Sequence, residues 1–185
     1  MVARAAGDDR SRTGGEPVSY FAAMLARAGG QWTASEVDLD AFEDIEGVAD
    51  LMRDQAQGEE PVLLFVEADD EWFAVIRVDG TEEARAFLSD LRAVETNDIA
   101  TLLFADELPE EAEDEGASES SDAGDDEQSS RPAPVPSGAT DLLMDLGTPA
   151  GDLLKLCESE GLLPGDVVTV LAERAGAGDA LEQLR

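Results

Sequence analysis

The spacing of apolar positions changes character along this chain. Tyr20-Phe21-Ala22-Ala23-Met24-Leu25-Ala26 is nearly continuous, which predicts a strand, and Ala28-Gly29-Gly30 predicts its turn. Residues 31–39 set Trp32 and Val37 among polar neighbours, the pattern of a half-exposed partner strand. Ile45, Val48, Ala49, Met52 and Ala56 then recur at helical spacing, with Asp44 as a cap and Gly58 beyond the end. Pro61-Val62-Leu63-Leu64-Phe65-Val66 is apolar at every position, as a strand covered on both faces must be, so it should be central. The polar stretch 67–71 reverses the chain, and Trp72-Phe73-Ala74-Val75-Ile76-Arg77-Val78 returns antiparallel to it. Asp79-Gly80 predicts another turn, and residues 84–88 a third strand of the meander. Ser89 or Asp90 is placed to cap a helix carrying Leu91 and Val94, while residues 99–104 read equally as helix or short strand.

From Asp106 the pattern stops. Acidic residues, Ser and Gly dominate until Pro132-Ala133-Pro134-Val135-Pro136, a stiff proline-rich spacer. Such a segment cannot bury enough apolar area to offset its ordering entropy. Helical spacing resumes with Leu142, Leu143 and Leu146, stopped by Gly147. Thr148-Pro149 predicts a cap followed by proline at the first helical position, opening a helix with Ala150, Leu153, Leu154 and Cys157 on one face. Asp166 is placed to cap a helix carrying Val167, Val170 and Leu171, and a last helix would hold Leu181 and Leu184. The expected organisation is a disordered leader at 1–17, an α+β sheet domain at 18–105, an acidic and proline-rich disordered linker at 106–138 and a helical module at 139–185. The fold class is α+β, an antiparallel sheet with packed helices. The helical module is near the size at which independent folding becomes marginal, so it should dock on its own sheet or on a partner.

Charge changes the picture more than any motif. The 185 residues hold 12 Lys and Arg, 44 Asp and Glu and no His, a formal net charge of -32. A polyanion of this strength repels phosphate backbones, because nucleic-acid affinity comes largely from cations that displace condensed counterions. Without histidine the chain also lacks the one side chain that titrates near neutrality unaided. The start has no apolar run of the secretory kind and no stretch is long enough to span a bilayer, so a cytoplasmic protein is expected. A lone Cys157 cannot form an intramolecular disulfide.

Few residues stand out as candidates for chemistry. Trp32 and Trp72 are candidate partner-binding anchors, set against plain core packing. Arg77, inside an apolar strand and on the face of Phe73 and Val75, could hold an acidic partner or could lay its stem on the sheet and pair locally. Cys157 has no histidine to activate it and an adjacent Glu158, which points to a structural thiol. No EF-hand loop, metal-ligand cluster, phosphate loop or dinucleotide fingerprint is present, so no cofactor, metal or catalytic residue is expected.

Four stretches carry a resemblance. They are Ser19-Tyr20-Phe21-Ala22-Ala23; Pro61-Val62-Leu63-Leu64-Phe65-Val66-Glu67; Asp70-Glu71-Trp72-Phe73-Ala74-Val75-Ile76-Arg77-Val78-Asp79-Gly80; and Asp141-Leu142-Leu143-Met144-Asp145-Leu146-Gly147-Thr148-Pro149 with Leu153-Leu154-Lys155-Leu156-Cys157-Glu158. In these the chain resembles the tRNA adenosine deaminase-associated proteins of actinobacteria. The resemblance implies a bacterial protein linked to the deaminase that makes inosine at the tRNA wobble position, and it supplies no catalytic residues. The chain lacks the deaminase's own zinc-binding pattern of His-x-Glu and Pro-Cys-x-x-Cys. The expected function is therefore a non-catalytic accessory or regulatory protein with a protein partner, plausibly that deaminase, and no direct nucleic-acid contact. Two other classes stay open. One is a carboxylate-based ligand-binding domain or hydrolase, which requires a concave acidic pocket on the sheet face. The other is an acidic nucleic-acid mimic, which requires carboxylates arrayed on an ordered surface.

Overall fold

Strict alternation along the central strands decides the architecture. In the strand β3 (Pro61–Ala68), Val62, Leu64, Val66 and Ala68 enter one core while Leu63 and Phe65 enter another. The next strand, β4 (Trp72–Asp79), does the same, with Trp72, Ala74, Ile76 and Val78 on the first side and Phe73 and Val75 on the second. A computed structural model describes residues 20–68, 71–105, 133–159 and 161–185. The expected leader and most of the expected linker, 106–132, lie outside the described residues.

The remaining strands are β1 (Tyr20–Ala28), β2 (Gln31–Glu36), β5 (Arg85–Leu88) and β6 (Ser137–Gly138). All pair antiparallel in the order β2-β1-β3-β4-β5-β6, so β3 and β4 are central, as their unbroken apolar runs require. Gly29 and Gly30 both take positive φ in the turn between β1 and β2. The proline-rich residues 133–136 lead into β6, so the last residues of the range expected as linker are part of the sheet. Gly138 is required there. Its φ is +90°, and a Cβ at that position would lie 2.3 Å from the Ala86 carbonyl oxygen.

One face is covered by α1 (Ile45–Gln55), α2 (Ala93–Thr96) and α3 (Asp98–Phe104). Asp44 caps α1 by accepting the Gly47 N–H at 2.9 Å, and Val48, Ala49 and Met52 turn inward. Residues 99–104 resolve as helix because Asn97 accepts the N–H groups of Ile99 and Ala100, a cap that settles the ambiguous run. Ser89 caps nothing; its Oγ accepts the Phe73 N–H inside the sheet, and Asp90 binds Arg92 instead.

The other face is covered by α4 (Ala150–Glu158), α5 (Pro164–Arg174) and α6 (Gly178–Glu182). Leu142, Leu143, Leu146, Leu153, Val167, Leu171 and Leu181 pack there on Leu25, Leu63, Phe65, Val75 and Phe87. The C-terminal helices thus dock on their own sheet. Two expected caps shift in role. Pro149, not Thr148, precedes α4, and Thr148 is fully buried with its Oγ1 unpartnered. Asp166 is the third residue of α5, where its carboxylate accepts the Leu163 N–H at 3.2 Å.

Because both cores share the same strands, the two faces should unfold together. Phe65→Ala on the sheet should cost about 3–5 kcal/mol, and Leu171→Ala on α5 about 2–5 kcal/mol. Urea denaturation followed by both far-UV circular dichroism and tryptophan fluorescence should show one transition, moved to lower urea in each variant. A separate early transition in Leu171→Ala alone would contradict the shared core.

Candidate functional site

Arg77 lies on the side of β4 covered by the C-terminal helices, and its side chain is only 11% exposed. The sequence supplies its partners from two places. Asp79, two residues along the strand, accepts from Nε at 2.7 Å and Nη2 at 2.8 Å. The segment between β6 and α4 brings the Leu142 carbonyl to Nη1 at 2.6 Å and Asp145 to Nη1 and Nη2, the latter at 3.0 Å. Arg85 stands opposite Arg77 in the β4–β5 register and pairs with Asp141. Two arginines side by side on the sheet therefore meet two carboxylates spaced four residues apart on one short segment. Burial works against the Arg77 charge, but the hydrogen bonds it donates to Asp145 and Asp79 outweigh it and raise its pKa above the ordinary value. The Arg77 hydrogen bond holds the Asp145 carboxyl below its usual range, against a smaller opposing effect of burial.

The candidate anchors fall in different places. Trp72 is 2% exposed and belongs to the core under α1–α3. Arg77 is consumed by its internal carboxylates and by the Leu142 carbonyl. The structure places both candidates on β4 inside the protein, for one physical reason: both faces of the sheet are covered. Trp32 is half-buried on β2. Its indole N–H donates to the Ala175 carbonyl at 3.1 Å, and the Arg27 guanidinium lies 5.7 Å from its ring centroid. Cys157 is half-buried, and burial with the Glu158 charge pushes its thiol up to about 12, away from a nucleophile's range.

The same covering removes the sheet face as the seat of an acidic pocket, because the C-terminal helices fill it. A shallow cleft of about 260 Å³ does exist at the other end, lined by Glu71, Trp72, Asp90, Arg92, Ala93, Glu95 and Thr96. There Asp90 accepts from Arg92 Nη2 at 2.6 Å. Although burial opposes it, that hydrogen bond and the Arg92 and Val135 N–H groups lower the Asp90 pKa, the wrong direction for a general acid.

The ordered surface with the strongest chemical character is acidic. Glu36, Asp38, Asp40, Glu43, Asp44, Glu46, Asp50 and Asp54 are all exposed along the end of β2, the following turns and the outer face of α1. Tyr20 braces this stretch. Its hydroxyl accepts the Leu39 N–H at 2.9 Å and the Asp40 N–H at 3.3 Å and donates to Asp38. Arg53 is the one cation among these carboxylates, and Glu46 and Asp50 take it at 2.8 and 2.7 Å. Sequence patterning finds the carboxylates but not that they share an ordered surface. It also misses Asp141 and Asp145, whose four-residue spacing around Leu142 and Leu143 was the available signal.

The Arg77 cluster makes a directional claim about pH. A folded pKa held low for Asp145 stabilises the protein fully above the unfolded carboxylate value of about 3.9, and that contribution is lost as pH falls through the lower folded value. Arg77→Met should cost about 3 kcal/mol, the lower end for breaking a buried pair, since Asp145 is partly exposed. Asp145→Asn should be less stable than the parent at neutral pH and converge toward it as pH falls below about 4. Urea midpoints measured across that range check this, and a difference that stays constant to pH 2 would contradict it.

Among the described residues no helix is long and apolar enough to cross a membrane, and no group of three or more His, Cys, Asp or Glu side chains is placed to hold a metal. No curated protein and no solved structure matches the chain. A family model described as Rv3753c-like tRNA adenosine deaminase-associated protein matches residues 20–178, which takes in every strand and five helices with the start of the sixth. The chain belongs to the Rv3753c-like tRNA adenosine deaminase-associated protein family.

Proposed function

We propose that this protein is a non-catalytic accessory of the tRNA adenosine deaminase, which it binds in the cytoplasm through the acidic face formed by the end of β2, the following turns and α1. The observation that carries the reading is that face, ordered and exposed, in a member of a deaminase-associated family. A deaminase must present basic side chains where tRNA phosphates lie. An ordered row of carboxylates complements such a surface, and binding there competes with tRNA. The nucleic-acid mimic reading requires carboxylates on an ordered surface and so converges on the same residues.

Electrostatics of this kind acts at short range, since the Debye length is about 8 Å at physiological salt. Affinity should therefore fall steeply with ionic strength. Titration calorimetry of the purified deaminase from the same organism should show binding at about 50 mM salt, weakened roughly tenfold or more at about 300 mM. Glu43→Lys with Asp54→Lys, both exposed and away from the core, should weaken binding without lowering the melting temperature. Added tRNA should displace the protein. Absence of binding at low salt to a deaminase shown to be active would overturn the reading.

A further inference from the structure

The two edges of the sheet are finished differently. Beyond β5 the chain lays Pro134-Val135-Pro136 and a two-residue β6 along the edge, with the Leu91 N–H donating to the Val135 carbonyl at 2.8 Å. Short strands and prolines are the usual means of blocking further pairing. The opposite edge is β2, six residues long, with no proline and no charge from Gln31 to Ser35. In a chain of net charge -32 such an uncharged run on an open edge is the one kind of surface its own copy can approach.

The register identifies which backbone groups are open. Val37 N–H donates to the Ala22 carbonyl at 2.9 Å, continuing the β1–β2 ladder. Antiparallel alternation then turns Gln31, Thr33 and Ser35 toward β1 and leaves the N–H and carbonyl groups of Trp32, Ala34 and Glu36 pointing outward. Among the described residues none of these outward groups meets another strand.

We infer that β2 pairs antiparallel with β2 of a second copy, across a two-fold axis at Ala34, to make one continuous sheet. This register places like with like where it should. Ala34 faces its own symmetry mate, and Thr33 stands opposite Ser35, a favourable hydroxyl pair. Trp32 stands opposite Glu36 of the other copy. Arg27 is the register partner of Trp32 and leans over its ring; it lies near enough to Asp145 for its charge to act on that carboxyl, but among the described residues it alone of the Arg and Lys side chains has no carboxylate within salt-bridge distance. The dimer gives Arg27 a carboxylate across the interface, twice by symmetry.

Sedimentation equilibrium of the full chain tests this, independently of any deaminase. Mass should double with rising concentration, and association should tighten as salt is raised, because screening relieves repulsion between two polyanions. Complex formation with a basic partner responds to salt in the opposite sense, so the two proposals fail separately. Ala34→Pro removes an outward N–H while leaving the β1 ladder intact, and it should abolish the dimer at an unchanged melting temperature. If that variant does not fold, the charge exchange decides: Arg27→Glu and Glu36→Lys should each weaken association about tenfold, and the double variant should restore it. A chain that stays monomeric at about 200 μM in high salt, a folded Ala34→Pro that still dimerises, or a charge exchange without effect would overturn the inference.

Discussion

A sheet that is apolar on both faces cannot stand in water on either, and everything else in this protein answers that constraint. β3 and β4 present Val, Leu, Phe and Ile alternately to the two sides. Burying one such side chain is worth about 1.5–3 kcal/mol. Leaving either face bare would forfeit several of these at once and expose a contiguous apolar patch. The N-terminal half supplies α1, α2 and α3 for one face. The second cover comes from the far end of the sequence, which is why residues 139–185 belong to the same core as residue 25. The buried Arg77 follows from this arrangement. It sits where the segment between β6 and α4 meets β4, and its charge is tolerable only because Asp79, Asp145 and the Leu142 carbonyl surround it.

The use of cations explains the character of the surface. Arg53, Arg77, Arg85, Arg92, Lys155, Arg174 and Arg185 are all paired with carboxylates of the same chain. Of the eight Lys and Arg among the described residues, Arg27 alone lacks such a pair. The carboxylates of β2 and α1 therefore face solvent with little counter-charge. A basic macromolecular partner of the kind proposed would find in it a complementary field.

Much of the fold was legible because period and burial agree on β1, β3, β4 and α1. The unbroken apolar run of β3 even announced its central place. Capping was less legible, since Asp, Asn, Ser and Thr are plentiful and tertiary contacts choose among them. Asn97 won the α3 cap, while Ser89 was drawn into the sheet. β6 was hidden by its brevity and by prolines that read as spacer. Site residues were least legible. Trp72 and Arg77 stood out as chemistry in a line of apolar residues, but α1–α3 cover Trp72 and the segment between β6 and α4 brings Leu142 and Asp145 to Arg77, and no local pattern records that.

The most direct test of the two-sided core is native-state hydrogen exchange. If the C-terminal helices complete the core, amides in β3, β4 and α5 open with the same free energy, equal to that of global unfolding. If α5 amides exchange at a much lower free energy while those of β3 and β4 stay protected, the sheet does not need its second cover and the account is wrong.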